Sequence, residues 1–357
     1  MRRVALAAAL CALAEVARAA APVTLLVGFA PGQGADVVAG PDSLTDAGRR
    51  LTSEATYDDS GRFYAERLGA FLPGAPAVTM KLLPGAGSLL AAATLRAARG
   101  DGSVLAMLGP RAVLEPLVRP RNASWRAADF KWIGARQRDD DVCVARADSG
   151  VATTADLRAK ELFVAALAPG SRSYIYASAL NELGGARLKI ISGYGGEFEA
   201  ARALETGEVQ AWCGWSQNAL LYRHEELLRG GRVRTLVRFS VDAVDGRDVP
   251  RAEDIPRAED LAASGDDRAT MRAVASQTRF GAFTLAAPPS TPPIVVERLR
   301  AAYLAMLRDP ETLRLAAARG LDVDPVPGDE LQTLAGELDA LPAGAAARLG
   351  VALGERQ

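Results

Sequence analysis

The sequence predicts an α/β protein built as two domains of similar plan. Three observations support this fold class. Apolar runs short enough for strands alternate with helix-like segments from residue 22 to 110. The same alternation returns between residues 142 and 216, and most of the apolar runs end in a glycine-containing loop. This order is typical of parallel sheets with helical crossings, in which ligands collect beyond the carboxyl ends of the strands.

The first domain is predicted from residues 22–139 together with 241–357. Its opening strand is the apolar run 23–27, which breaks at Gly28 and continues into a Pro-Gly-x-Gly loop at 31–34. Residues 37–60 are rich in Asp, Ser, Thr and Gly and are interpreted as an inserted surface segment with a short helix near 44–51. The further predicted strands are 77–82, 103–108 and 280–286, and a linker over 119–132 precedes Ile133-Gly134-Ala135. The predicted helices are 61–72, 89–98, 258–278, 294–307, 311–319 and an Ala-rich tail over 330–357.

The second domain is predicted from residues 140–240, where the strand, loop and helix order repeats. Its strands are expected at 142–145, 162–167, 188–191, 209–213 and 233–239. Its helices are expected at 154–160, 174–183 and 198–205.

Composition excludes no function class by itself, but the charge balance argues against proteins that bind nucleic acid or an anionic membrane. The chain has 357 residues, 49% of them hydrophobic and 24% charged, which is ordinary for a globular protein. The net charge of −1 gives no global attraction to nucleic acid or to an anionic membrane, so no nucleic-acid partner is predicted.

The first 19 residues read as a signal peptide. Arg2 and Arg3 precede an apolar run over 4–14, and Ala17-Arg18-Ala19 is an A-x-A cleavage site. We therefore expect an exported, periplasmic protein. The alternative is an N-terminal helix that stays on the chain, which Glu15 beside the site would favour.

Removing the signal leaves two cysteines, Cys143 and Cys213. An even pair in an exported protein favours a disulfide, and the alternative is two buried free thiols in neighbouring strands.

Motifs for catalysis and for cofactors are incomplete. Neither Gly32-Gln33-Gly34 nor Gly85-Ala86-Gly87 has the third glycine of a dinucleotide fingerprint. Ser216 lacks the second glycine of a nucleophile elbow, and His224, the single histidine, lies in a polar stretch. One histidine and two cysteines make no convincing zinc site. We therefore predict no cofactor, no metal and no enzyme, with a secreted hydrolase using Ser216 as the competing class.

The remaining signal is a set of loops that offer backbone N–H groups and hydroxyls at strand ends, a pattern suited to binding an anion without reacting it. Arg111 and Arg172 follow two of these loops and would donate charge-assisted hydrogen bonds to a carboxylate. The alternative is that both are solvated loop arginines.

A series of short motifs resembles one family, the extracytoplasmic solute receptors of tripartite tricarboxylate transporters, also called Bug proteins. The motifs run in order from about residue 22 to 335. They are Val27-Gly28-Phe29-Ala30-Pro31-Gly32, Pro84-Gly85-Ala86-Gly87, Asp101-Gly102-Ser103, Asp129-Phe130-Lys131-Trp132-Ile133-Gly134, Ile191-Ser192-Gly193-Tyr194, Gly207-Glu208-Val209-Gln210, Ala287-Pro288-Pro289, Pro292-Pro293, Asp309-Pro310 and Gly320-Leu321.

The resemblance implies a two-domain periplasmic-binding-protein-like fold with a ligand cleft between the domains. It also implies a monomeric receptor that captures a small organic carboxylate, or a similar polar solute, for the membrane subunits of a transporter. A receptor that feeds a signalling system is the alternative. Asp36 follows the first loop by two residues and is included with the two arginines among the predicted ligand residues. Together with those that the resemblance implies, they are Phe29, Ala30, Pro31, Gly32, Gln33, Gly34, Asp36, Gly85, Ala86, Gly87, Ser88, Arg111, Gly170, Ser171, Arg172, Ser173, Tyr194, Gly195, Trp215 and Ser216.

Two departures from the family pattern bear on the ligand. Residues 37–60 stand where most members run straight from the first loop into its helix. Gly214-Trp215 replaces an acidic residue that many members carry near this strand end, which argues against an amino-acid ligand.

Overall fold

Two mixed β-sheets with helices packed on their faces form the framework of the protein. A computed structural model describes residues 21–31, 56–138, 140–217, 220, 225–241 and 255–353. The predicted signal peptide, residues 32–55 and His224 lie outside the described residues. Within the described part of the chain, no helix is both long enough and apolar enough to cross a bilayer.

The first sheet has six strands in the order β11-β4-β10-β3-β1-β2. β1, β2 and β3 are parallel, with Leu25 opposite both Met80 and Leu105, and β10 runs antiparallel to β3 and β4. The strands are β1 Val23–Val27, β2 Val78–Leu82, β3 Val104–Leu108, β4 Lys131–Ala135, β10 Thr284–Ala287 and β11 Val326–Pro327.

The second sheet has five strands in the order β7-β6-β8-β5-β9. β6, β7 and β8 are parallel, and β5 runs antiparallel to both β8 and β9. The strands are β5 Asp141–Arg146, β6 Leu162–Ala166, β7 Leu188–Ser192, β8 Ala211–Ser216 and β9 Val233–Phe239.

Helices connect and cover the strands of both sheets. In chain order they are α1 Tyr57–Arg67, α2 Leu89–Ala97, α3 Arg111–Val118, α4 Thr154–Ala159, α5 Arg172–Gly184, α6 Glu197–Thr206, α7 Glu225–Arg229, α8 Gly265–Ala275, α9 Gln277–Phe280, α10 Pro293–Arg308, α11 Pro310–Ala318, α12 Gly328–Asp339 and α13 Ala343–Ala352.

One hydrophobic cluster continues from the first sheet to the second. It takes in α2, α3 and α12 on one face of the first sheet and reaches α5 through α8 and α13. The other face of the first sheet packs on α1, α10 and α11. The other face of the second sheet packs on α6 and α7. Apolar burial on both faces explains why most of these strands read as continuous apolar runs.

The predicted fold class is confirmed, and the predicted strands are present in their order along the chain, whereas β4 and β11 were not predicted. The helix expected from 61 begins at Tyr57, so the inserted segment is shorter at its carboxyl end than the predicted 37–60. Residues 111–118 form helix α3, which was not predicted, and it contains Pro116, a residue that usually interrupts helices. Phe280 ends α9 instead of opening β10, and the strand starts only after Phe283, whose φ of 59° interrupts extended backbone. The assignment of 140–240 to its own domain stays a prediction.

The predicted disulfide is present. Cys143 in β5 and Cys213 in β8 are bonded across neighbouring strands, with Cα atoms 4.0 Å apart and a separation of 70 residues. Both cysteines are buried beneath α5. The bond therefore closes a long chain loop inside the second sheet.

Replacing both cysteines by serine should lower the free energy of unfolding by about 4 kcal/mol, because the bond closes a 70-residue loop in the unfolded chain. Urea denaturation followed by circular dichroism measures this. Reductant should lower the stability of the natural chain and leave the double variant unchanged. Equal stability of the two chains without reductant would contradict a contribution from the bond.

Candidate functional site

The topology places most of the predicted ligand loops at the carboxyl edges of the two sheets. β1, β2 and β3 end together at the first edge, and β6, β7 and β8 end together at the second. The chain crosses between the sheets at residues 136–140, after β4 and before β5. This is the edge at which open α/β sheets bind ligands.

Three loops of the first edge interlock through small residues. A Cβ at Gly28 would lie 2.5 Å from the Ser88 Cβ, so only glycine fits there. The Ser88 Oγ accepts a hydrogen bond of 2.9 Å from the Gly109 N–H. The Phe29 ring covers Gly109, where an added Cβ would approach the ring Cζ to 2.6 Å. The ends of β1 and β3 and the loop after β2 therefore form one unit.

The Pro-Gly-Ala-Gly loop has a left-handed backbone over consecutive residues. Ala86, Gly87 and Ser88 have φ values of 48°, 63° and 75°. Two of these residues carry a Cβ, and each costs roughly 1–2 kcal/mol in this conformation. The buried Ser88 is held by its hydrogen bond to Gly109, which offsets part of that cost.

A row of aromatic rings supports the first loop, and sequence reasoning missed most of it. Phe29 stacks on Tyr57 with ring centroids 3.8 Å apart, and Tyr57 contacts Phe283 at 5.1 Å. The Arg136 guanidinium lies 4.4 Å from the Phe283 ring centroid. Tyr57, Phe283 and Arg136 are buried, whereas Phe29 is partly exposed. The Phe29 ring is therefore the one that reaches the surface at this edge. Tyr57 was assigned to the inserted segment, and nothing local marked it.

Arg111 is at the first edge but is already paired. Its guanidinium donates to the Glu115 carboxylate at 2.8 Å, one turn along α3. Burial alone would raise the pKa of Glu115, but hydrogen bonds from Asn122, Arg111 and Arg119 outweigh burial and hold the pKa below its usual value. Arg111 is 48% exposed and packs over Gly87. Its charge is therefore balanced within the chain.

At the second edge, Gly170 and two serines form the start of α5. Gly170 has a φ of 85°, and the Ser171 Oγ accepts the Tyr174 N–H as the helix cap. The buried Ser173 Oγ accepts the Leu167 N–H at 3.1 Å and lies 3.1 Å from the Ser171 Oγ. This predicted loop is preorganised by its own hydrogen bonds.

Arg172, the first residue of α5, is bound to an acid that sequence reasoning missed. It donates to both oxygens of Asp141, at 3.1 and 2.8 Å, and the Tyr176 hydroxyl donates to the same carboxylate at 2.7 Å. Asp141 is 2% exposed and opens β5, opposite Ser216 at the end of β8. The predicted carboxylate-binding arginine is thus occupied by an internal carboxylate.

Asp140 joins the segments that pass between the sheets. Its carboxylate accepts from Arg238 in β9 at 3.2 Å and from Arg279 before β10 at 3.4 Å. Both arginines are almost fully buried. No local pattern marked these residues, because their partners are about a hundred positions away in sequence.

The remaining predicted residues of the second edge have partners of their own. The Tyr194 hydroxyl donates to Glu208 at 2.7 Å, and the Gly195 N–H donates to Glu199 at 2.7 Å. Trp215 is fully buried against the α6 side of the sheet, and Ser216 ends β8. Gly214 bulges at a φ of 97° within the strand, which is not a nucleophile elbow between a strand and a helix.

At the tip of the first loop, Pro31 is exposed and Ala30 is partly buried. Gly32, Gln33, Gly34 and Asp36 lie outside the described residues. Among the described residues, no group of three or more His, Cys, Asp or Glu side chains is arranged to hold a metal ion.

Comparisons with known proteins agree on one family. The sequence model described as tripartite tricarboxylate transporter family receptor matches residues 74–338. No curated protein matches the sequence.

Solved structures resemble the fold over nearly the whole chain. A TctC solute-binding protein from Polaromonas, without ligand, has a TM-score of 0.64 at 19% identity, covering 93% of this chain and 100% of that one. The periplasmic binding protein BugD has a TM-score of 0.51 at 18% identity, covering 94% and 98%. The R. palustris protein Rpa4515, with adipate, has a TM-score of 0.53 at 17% identity, covering 94% and 98%.

Gly28→Ala should destabilise the protein by about 1–3 kcal/mol, because the new methyl group would overlap the Ser88 Cβ and push the two loops apart. Urea denaturation measures the change. Gly336→Ala is the matched control, since an added Cβ there meets no atom within 4 Å and alanine favours the helix. Equal stability of Gly28→Ala and the natural chain would contradict the interlocked arrangement.

Burial of the Tyr194 hydroxyl, with its hydrogen bond to Glu208 and the charge of that carboxylate, raises the pKa of Tyr194 to about 12. Because the folded pKa lies above the ordinary value of 10.0, the stability from this group is lost as the pH rises from about 10 toward 12. Glu208→Gln should move the pKa back toward 10. The pKa is measured from the absorbance of tyrosinate as the pH rises, after the titration of the Tyr194→Phe variant is subtracted. A titration midpoint that Glu208→Gln leaves unchanged would contradict the hydrogen bond between Tyr194 and Glu208.

Proposed function

We propose, given that this chain belongs to the tripartite tricarboxylate transporter receptor family, that it captures a small organic carboxylate between the carboxyl edges of its two sheets. The family model covers residues 74–338, most of the chain, and its members are substrate-binding receptors. The proposal therefore concerns the ligand, the way it is held and the partner that receives it.

The observation that carries this proposal is the pair of preorganised loops at the two edges. At the second edge, Gly170 and Ser171 open α5, a helix of 13 residues whose first N–H groups favour a negative charge. At the first edge, Gly28, Ser88 and Gly109 hold the loop backbones together. Both edges offer backbone N–H donors, and the second adds the Ser171 hydroxyl; such neutral donors suit a carboxylate that must be bound and later released.

Two structural neighbours support a carboxylate as the ligand class. Rpa4515 of R. palustris is described with adipate, and MatC of Rhodopseudomonas palustris with bound malate. Both resemble this fold with TM-scores of 0.53 and 0.50.

We place the hinge for ligand capture where the chain crosses between the sheets. The chain passes from the first sheet to the second after β4 and returns between β9 and β10, and Asp140 accepts from Arg238 in β9 and from Arg279 in α9. Rotation about a few such residues closes two lobes on a ligand. We assign residues 140–240 to the lobe that moves against the rest of the chain.

We infer the cell compartment and the partners, with family membership and the N-terminal sequence in support. The protein is exported to the periplasm through residues 1–19, acts as a monomer and passes its ligand to membrane subunits of a tripartite transporter. A hydrolase using Ser216 has no observation in its favour, since Ser216 ends a strand and faces Asp141 in the ladder.

A panel of mono-, di- and tricarboxylates screened by thermal unfolding tests the proposal. A ligand at 100 times its dissociation constant should stabilise the protein by about 2.7 kcal/mol. The absence of stabilisation by every member of the panel would contradict carboxylate capture.

Ser171→Ala should weaken the best ligand about tenfold, because it removes a hydroxyl donor at the start of α5. Isothermal titration calorimetry measures the affinity. Ser264→Ala is the matched control, since Ser264 caps α8 in the same way but does not belong to the predicted ligand loops. Equal loss of affinity in both variants would show that a helix cap, and not the site, was disturbed.

A further inference from the structure

The last described helix, α13, contacts helices of both sheets. It follows α12 after only Ala340, Leu341 and Pro342, yet the two helices pack on different parts of the molecule. α12 lies against β4 in the first sheet, whereas α13 lies against α8, α5 and α3. α5 covers the second sheet, and α3 follows β3 of the first. The chain therefore passes between the sheets a third time, at residues 340–342.

The main partner of α13 is helix α8, which packs with the second sheet. α8 contacts α5 and β9, and the helical turn before it contacts the same two elements. The Arg272 guanidinium in α8 donates to the Val241 carbonyl, just after β9, at 2.6 Å. The Arg158 guanidinium in α4 donates to the Leu261 carbonyl, at the end of that turn, at 2.8 Å. By its packing, the lobe of the second sheet therefore extends beyond residues 140–240 and includes α8.

Small residues let α13 approach α8 closely. A Cβ added at Gly344 would overlap the Asp266 carboxylate of α8. Ala345 is fully buried, and its carbonyl oxygen lies 3.0 Å from the buried Thr270 hydroxyl. The same hydroxyl lies 2.7 Å from the Asp266 carbonyl oxygen, so its proton is shared between the two helices. This contact requires the two backbones to lie close together, which glycine and alanine at the interface permit.

An ion pair adds to the contact between α13 and α8. The Arg348 guanidinium donates to the carboxylate of the buried Asp267 at 2.6 Å. The Ser264 hydroxyl donates to the other oxygen of that carboxylate at 2.6 Å. A buried carboxylate is destabilised when it loses its cation. α13 is therefore held on α8 by polar contacts as well as by apolar burial.

The contacts of α13 and α8 with the first lobe are mostly apolar. Leu349 and Ala352 are fully buried in the cluster that includes α3, α5 and α8. Within the described part of the chain, the side-chain hydrogen bonds of α13 go to α8. Arg272 of α8 pairs with Glu337 of α12 at 3.1 Å, but both side chains are well exposed, so this pair contributes little. Movement of the lobes would therefore separate α13 from α3 and expose apolar surface.

We infer that α13 is a strap that restrains the opening of the two lobes. This rests on the hinge of the proposed function and extends its moving lobe to α8 and α13. The strap is continuous with α12 on the first lobe, is bound to α8 on the second, and buries apolar surface against α3. A hinge without it would open more easily, because less apolar surface would be exposed to water. α13 begins after residue 338, the last that the family model matches, so family membership alone does not predict the strap.

Energy transfer between two dyes tests the strap in single molecules of the full chain without ligand. The dyes are attached at Arg96→Cys in α2 and Arg202→Cys in α6, because both positions are exposed and lie on different lobes. The strap variant adds Arg348→Glu, which places a like charge beside Asp267, and Leu349→Ala, which removes buried apolar contacts. It should populate the longer, open distance about tenfold more often than the natural chain with the same dyes.

The matched control carries Arg319→Glu and Leu307→Ala. Arg319 pairs with Glu66 at 2.5 Å, and Leu307 is 1% exposed. All three residues lie in the first lobe, on or beside α11, α1 and α10. The control variant loses an ion pair and a buried leucine of the same kinds, so urea denaturation should show it destabilised as well. It should nevertheless keep the distances of the natural chain.

The outcomes separate the strap from the proposed function. A folded strap variant with the distances of the natural chain contradicts the strap, and the proposed function stands if carboxylates still bind. An equal shift in the control variant also contradicts the strap, because general loosening of the fold would then explain it. If circular dichroism shows that the double variant does not fold, Arg348→Glu alone is read by the same criterion, since Arg348 is 50% exposed. Absence of carboxylate binding by the natural chain contradicts the proposed function itself.

Discussion

Two consecutive carboxylates at the start of β5, Asp140 and Asp141, fix the part of the molecule on which the rest depends. Asp140 binds Arg238 in β9 and Arg279 in α9, which flank the return of the chain to the first sheet. Asp141 binds Arg172 and Tyr176 in the first turns of α5. One point of the chain therefore holds both the crossing and the start of the second ligand loop. Because a buried charge is destabilised when it loses a partner, removing either acid should lower the stability of the fold.

The same acids give the second edge its character. An arginine next to a helix N-terminus would ordinarily make a strong anion site, but here the guanidinium of Arg172 is paired with Asp141 inside the protein. For the proposed ligand this edge has neutral donors on a loop that its own hydrogen bonds preorganise. Affinity then depends on preorganised geometry more than on free charge, which suits a receptor whose ligand has to be released to a transporter.

The first edge is held together by the close packing of its loops. Gly28, Ser88 and Gly109 approach so closely that a methyl group at either glycine would force a displacement. Behind them, packed rings lead from Phe29 through Tyr57 and Phe283 to Arg136, where the chain leaves the first sheet. Phe283 takes a left-handed φ of 59° that a bulky side chain rarely adopts, and its carbonyl is fixed by the Tyr64 hydroxyl at 3.0 Å. The ligand loop and the crossing thus belong to one contiguous packed structure.

The sequence alone determined the α/β fold class, the glycine loops at strand ends, the disulfide and the family, because each of these leaves a local signature: a period, a turn residue, an even cysteine count or an ordered motif. The tertiary structure decided which charges remain for a ligand. Arg111 and Arg172 look alike in sequence as loop cations, yet each is neutralised by a buried acid, Glu115 on the same helix and Asp141 31 residues away. Such pairing depends on which side chains are buried and on which residues lie opposite each other in the sheet. Neither can be read from the local periodicity of the sequence. For the same reason Tyr57 could not be placed beside Phe29 until the chain had folded.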